Sequence, residues 1–243
     1  MRNVLKFAVG LLLLPVVVAL WLELLRAASG AAAAQKAAAL PFFGGFLGYV
    51  MLWLWSRAGR GPAARRTASI LRGLYVLGHE TAHAAAAWAF GGHVYEFKAG
   101  PQGGHVKLSK SNAFVALAPY LAPVPALAAL LAFRVAVWIR PDWNSLSAVA
   151  GMMGVGLAFH LLETLASVGD VSQPDLRMAG GVLFSISLIG LGNAFMTLAA
   201  LKAFFPHSVA FLGVLRHSAL DIAGFWMAAT SHGSAAPAQA PVN

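Results

Sequence analysis

Apolar residues fall into six long runs, at roughly 7–25, 40–55, 67–90, 112–139, 146–168 and 176–201, separated by short polar intervals. Each run is close to the roughly 20 residues that a helix needs to cross the hydrocarbon layer of a bilayer. The pattern predicts an all-α polytopic membrane protein, a single integral membrane domain over 1–230 with about six transmembrane helices. Residues 204–229 are also apolar, but Pro206, His207, Arg216, His217 and Asp221 interrupt them, which predicts an interfacial helix. The last stretch, 231–243, reads as a disordered tail. Residues 92–110 break the helical rhythm. They are too polar to span, and two β-prone runs flank a turn at Gly100-Pro101-Gln102-Gly103, which predicts a β-hairpin. Pro119, Pro123 and Pro125 sit inside the fourth run, where they break or kink a helix and leave carbonyls without intrahelical partners.

Composition agrees. The 243 residues are 59% hydrophobic and 10% charged, against roughly 45–50% and about 25% in ordinary globular domains. So little charge cannot cover a water-facing surface, which excludes a disordered chain, a fibrous repeat and an ordinary cytosolic enzyme. Seventeen Lys and Arg against 8 Asp and Glu leave a net charge of +9. No basic run carries interleaved aromatics, so nucleic acid is not an expected partner. The excess reads instead as orientation signal and lipid contact. Arg57, Arg60, Arg65, Arg66 and Arg72 form the densest cationic stretch, and the positive-inside rule places it in the cytoplasm. Arg2 and Lys6 then give a cytoplasmic N-terminus, and the expected location is a cell membrane, the inner membrane of a bacterium. A basic start and the small residues of 27–34 also describe a signal peptide. The length of the first run and its ending in Trp21, Glu23 and Arg26 favour a retained anchor helix. The absence of cysteine excludes disulfides, thiolate metal sites and cysteine nucleophiles.

The third run carries His79-Glu80-Thr81-Ala82-His83. On a helix, positions four apart share a face, so two imidazoles there can converge on one Zn²⁺. Glu80 is turned about 100° from His79 by the helical period. It can reach an attacking water without joining the metal, take the water's proton as general base, and pass it to the leaving amine. Polar groups of this kind near the middle of an apolar run are costly, which favours a functional reading over a plain interhelical polar cluster.

A zinc site needs a third protein donor and an open position. Without cysteine the candidates are Asp175, Asp170, His160 and Glu163. If the third span runs outward from the cytoplasm, the histidines lie from its middle toward its outer half, and the fifth span ends and the sixth begins on that outer side. Asp175, after Gln173-Pro174 at the head of the sixth span, is the favoured donor; its plain alternative is a helix cap. His160 and Glu163, one turn apart, read otherwise as a buried pair or as groups orienting a ligand. His93 and His105 read as polar loop residues, and Asn112 and Asn193 as interhelical hydrogen bonders.

Gly78-His79-Glu80-Thr81-Ala82-His83-Ala84, followed by small residues and Phe90-Gly91-Gly92-His93-Val94, resembles the site-2 protease family of intramembrane zinc metalloproteases. The resemblance is specific over 78–94 and loose from the hairpin to the sixth span. It implies a zinc-dependent protease that cuts within or near the transmembrane segment of a membrane-protein substrate. His79 and His83 match the family's metal ligands, and Glu80 its catalytic glutamate. The family's third ligand is an aspartate in a Leu-Asp-Gly triplet, which this chain lacks; Asp175-Leu176 with Gly180-Gly181 is only reminiscent of it. There is also one more apolar run than expected between the His pair and that aspartate, and no PDZ-like domain is recognisable. The alternative of another class is a transporter or metal-binding membrane protein that uses the same cluster without hydrolysis, since broken helices and mid-membrane ionisable groups also mark transport sites.

Overall fold

A computed structural model describes residues 2–143, 145–169 and 173–232. The chain begins with two long helices, α1 (Arg2–Ala34) and α2 (Lys36–Ala58), parted only at Gln35. Both outrun their apolar cores because the flanking alanines favour helix. The third helix, α3 (Pro62–Ala89), starts with proline at its first position, where no amide partner is lost. It stops at Phe90-Gly91, with Gly91 at φ +68°. The hairpin follows as β1 (Val94–Gly100) and β2 (Gly103–Leu108), antiparallel, with a bulge between Val94 and Glu96.

The proline-rich run is two helices rather than one, α4 (Ala113–Leu121) and α5 (Val124–Ile139), bent by 58° at the Ala122-Pro123 break. Asn112 caps α4, its Oδ1 accepting from the Val115 amide at 2.9 Å. Next comes α6 (Leu146–Val168). The run expected at 176–201 is also divided, into the short α7 (Pro174–Ala179) and the long α8 (Val182–Phe204). Gly180 and Gly181 separate them at φ +147° and +106°, conformations that side chains with a Cβ rarely adopt. Asp175 therefore stands on its own short helix and not at the head of a span. The last helix, α9 (Phe211–His232), takes the place of the interfacial helix expected at 204–229. Ser231 and His232, expected in the tail, belong to α9, and 233–243 lie outside the described residues.

Among the described residues four helices are long and apolar enough to cross a membrane, α1, α2, α6 and α8, or five if α4 and α5 form one span. These are the helices of a membrane protein, and many of their large apolar side chains face outward, Leu11, Leu12, Leu22, Met51 and Leu165 among them. The six spans of the sequence reading reduce to four or five. The helix α3 falls outside the set because Arg65, Arg66 and Arg72 enter its first half and the His-Glu-His motif its second.

Close backbone contacts set the arrangement. A Cβ on Gly154 would overlap the Phe42 carbonyl, and one on Gly45 the Gly151 carbonyl, so α2 and α6 pack backbone to backbone through small residues. Farther along, Tyr49 meets Phe159, and Trp53 and Arg57 reach Glu163. Residue numbers rise together, so α2 and α6 run parallel. The pair α1 and α8 behaves likewise: Ser187 Oγ donates to the Gly10 carbonyl at 2.8 Å and Trp21 Nε1 to the Gly190 carbonyl at 3.1 Å, while Lys6 Nζ donates to the Ala179 carbonyl, at the end of α7, at 2.9 Å. A core of Leu20, Leu24, Phe42, Leu198 and Phe205 joins the two pairs.

This arrangement corrects the expected depth of the site. Because α6 runs parallel to α2, it ends on the side where α2 ends and α3 begins, the side of the arginine-rich loop, and not opposite to it. The chain between the start of α3 and the end of α6 makes no net crossing. The proline-rich run is a bent pair of helices and not the full span expected at 112–139, so the turn before Asp175 lies on the side of the arginine-rich loop.

Candidate metal centre

The spacing of His79 and His83 puts both rings on one face of α3, with ring centroids 4.9 Å apart. His83 Nδ1 lies 2.8 Å from the Val115 carbonyl oxygen on α4. A carbonyl only accepts, so Nδ1 carries a proton, and in the neutral form of the ring the lone pair lies on Nε2, on its other side. His79 Nδ1 is 3.3 Å from the Tyr75 hydroxyl, one turn back on the same helix. Each ring thus has Nδ1 engaged and turns Nε2 toward Asp175 on α7. Asp175 Oδ2 lies 3.4 Å from His79 Nε2 and 3.4 Å from His83 Nε2.

Of the three candidate third donors among the described residues, Asp175, His160 and Glu163, Asp175 is the one that meets the histidines. His160 is buried on α6 beside Asn193 of α8, and its Nε2 has no partner among the described residues. Glu163 points to α2 instead, accepting from Trp53 Nε1 at 3.0 Å and Tyr49 Oη at 3.3 Å, with Arg57 Nη2 at 3.4 Å. The two therefore form no pair with each other. Asp170 lies outside the described residues.

His79, His83 and Asp175 could together hold a metal ion: their ligand atoms lie within 4.8 Å of one another. The spacing suits a tetrahedral ion. Arms of about 2.0–2.1 Å at the tetrahedral angle put donor atoms about 3.3–3.4 Å apart. Two imidazoles and a carboxylate also form a borderline-soft set that Zn²⁺ accepts readily. Other groups steady these donors. Tyr120 of α4 brings its hydroxyl to 3.3 Å from Asp175 Oδ2, and its ring meets His79 edge-on at 5.2 Å.

Glu80 is outside the donor set. It is buried and lines a cavity of about 450 Å³ with His79, Tyr75, Gly104, Arg57 and Glu163. The hairpin closes one wall. A Cβ on Gly104 would come within 2.8 Å of both Glu80 Cγ and Val76 Cγ1, so β2 approaches α3 as closely as a glycine permits. At its tip Pro101 packs on the position of Gly73, so the hairpin folds back along α3. His105 and His93 are exposed on or beside the hairpin, away from the donors, and His105 pairs with Glu96 at 2.8 Å. Asn193 Nδ2 donates to the Tyr120 and Ile189 carbonyls, 2.8 Å each.

Sequence reasoning missed Tyr75 and Tyr120. Tyr75 was within reach, since it precedes His79 by one helical turn. Tyr120 carries no such signal: its place at the site comes from the packing of α4 on α3 and α7. No protein family, curated protein or solved structure matches this chain.

Proposed function

We propose that this protein is an intramembrane zinc metalloprotease that hydrolyses peptide bonds in or near the transmembrane segments of membrane-protein substrates. The observation that supports it most is the convergence of His79 Nε2 and His83 Nε2 on Asp175 Oδ2, each at 3.4 Å, with Glu80 one residue from His79 on the adjoining cavity. These three side chains would hold the zinc. When bound, the ion supplies Lewis acidity toward the scissile carbonyl and acidifies water.

The chain's own residues do the rest. The Glu80 carboxylate accepts a proton from the attacking water and returns it to the leaving amine. The Val115 carbonyl keeps His83 in the tautomer that offers Nε2, and Tyr75 engages His79 Nδ1 so that its Nε2 faces Asp175. The hairpin beside the cavity offers main-chain hydrogen bonds to an unwound substrate, since a helical segment must open before its carbonyl is reachable. Positive charge at Arg57, Arg60, Arg65 and Arg66 supports a cytoplasmic reading for the cavity end of the bundle and for the N-terminus.

Cleavage of a membrane-anchored reporter, with metal content measured on the same protein, tests the reading. Glu80→Gln should retain zinc and lose cleavage, while His79→Ala should lose both. The break between α4 and α5 also suits a transporter or metal-binding protein that does not hydrolyse. Such a protein would tolerate Glu80→Gln while depending on both histidines.

A further inference from the structure

Asp175 is the donor with the least support from its own helix. The six residues of α7 end at Gly180-Gly181, and no side chain of α7 itself bonds the carboxylate among the described residues. Three groups reach it from elsewhere: His79 Nε2, His83 Nε2 and the Tyr120 hydroxyl. Once the two Nε2 atoms give their lone pairs to a cation, they donate no hydrogen bond. Among the described residues the Tyr120 O–H is then the donor left to hold the carboxylate.

We infer that Tyr120 is the positioning residue for Asp175: its phenol, fixed between α3, α7 and α8, holds Oδ2 against the histidine pair. The inference rests on the metal-centre reading and adds to it the group that sets the third donor's orientation. Tyr120 is built for this. It is fully buried, at 0% exposure. Its ring stands at 89° to the His79 ring, and its carbonyl accepts from Asn193 Nδ2 at 2.8 Å. Its neighbours Ala116 and Leu117 share a buried cluster with Leu176 and Ala179, the apolar residues that follow Asp175 along α7. The phenol has one proton, with acceptors in reach at Asp175 Oδ2, 3.3 Å, and Gln173 Oε1, 3.4 Å, and the Ser167 hydroxyl beside it. Gln173 thus competes with Asp175 for that proton, and its removal takes away one competitor.

The test is zinc affinity of the purified full chain in lipid nanodiscs, read by competition with a chromophoric chelator. Tyr120→Phe keeps the ring and its packing and removes only the hydroxyl. The expected result is affinity weaker by about 10–100-fold, the usual effect of losing a group that orients a ligand, with helical content and melting unchanged. Gln173→Leu should bind zinc as tightly as wild type or more tightly. His79→Ala should lose the site. Wild-type affinity in Tyr120→Phe, with zinc lost in His79→Ala, overturns the positioning role and leaves the metal centre standing. Zinc retained in His79→Ala overturns the metal centre itself. Should Tyr120→Phe fail to fold, Gln173→Leu carries the test alone: a tenfold loss there overturns the assignment.

Discussion

His83 Nδ1 donates to the carbonyl of Val115 at 2.8 Å, and this one bond decides which ring nitrogen faces Asp175. The acceptor is main chain, so no side-chain change at position 115 removes it. It ties the chemistry of α3 to the placement of α4, and α4 owes its first turn to the Asn112 cap. Replacing a cap of this kind by alanine costs about 0.5–2 kcal/mol. Asn112→Ala is therefore expected to loosen α4 and lower zinc affinity without touching a metal donor. Isothermal titration beside a melting curve checks it; a lowered melting point with unchanged affinity would separate the two effects.

The donor set makes a sharp contrast among four acidic or imidazole groups. Asp175→Ala should lose most of its zinc, more than about tenfold in affinity by analogy with losses from groups one step removed. His160→Ala and Glu163→Ala should keep it, because His160 lies beside Asn193 and Glu163 is held by Tyr49 and Trp53. Metal analysis of the three purified variants decides. Zinc lost from Glu163→Ala and kept in Asp175→Ala would reverse the assignment.

Glu80→Gln is expected to slow reporter cleavage by about 10²–10⁴-fold, the usual worth of a general base. Gln is nearly isosteric, so the 2.8 Å fit against the Gly104 position should survive. Near wild-type cleavage by this variant would sink the protease mechanism.

Gly104→Val tests the hairpin. The added methyls have no room between Glu80, Val76 and the Lys98 carbonyl. Overpacking of this sort typically costs about 1–3 kcal/mol. The hairpin should lift from α3, which limited proteolysis would detect, and cleavage should fall while zinc content stays constant.

Cysteine labelling checks the relative sidedness, in a chain that has no native cysteine. Gly61→Cys and Gly169→Cys should label from the same side, because α6 runs parallel to α2. Asp142→Cys, before the start of α6, should label from the other. Labelling of Gly61→Cys and Gly169→Cys from opposite sides would refute the parallel arrangement.

Glu96 on the hairpin provides a pH test outside the membrane-spanning helices. Hydrogen bonds from Lys107 and His105 hold its carboxyl down at about 2. A depressed carboxylate stabilises the fold above its ordinary value near 4.5, and that contribution is lost as pH falls toward about 2. The side chain is fully exposed, so the effect should be small and weaken in salt. The protection of the Lys107 amide, its exchange rate taken relative to the intrinsic rate at each pH, should fall as pH drops between those values in wild type and stay constant in Glu96→Gln.

Local chemistry in the sequence already determined much of this protein. Apolar run length marks helices that only a bilayer could cover, and the four-residue spacing of His79 and His83 sets two imidazoles on one face whatever surrounds them. The turn at Pro101-Gln102 and the proline break near Pro123 are equally local, since φ restrictions act within one or two residues. Three things needed the tertiary structure. The third donor candidate that meets the histidines is one, because Asp175 and His79 are 96 positions apart and meet only through the packing of α4 and α7. The side of the bundle is another: run counting cannot tell a full crossing from a pair of helices that makes none. The surroundings of Glu163 are the third. Its position on α6 suggested the metal, but the backbone contact of Phe42 with Gly154 brings α2 close enough for Tyr49, Trp53 and Arg57 to take it. Helical period tells which face a side chain is on, and only packing tells what that face meets.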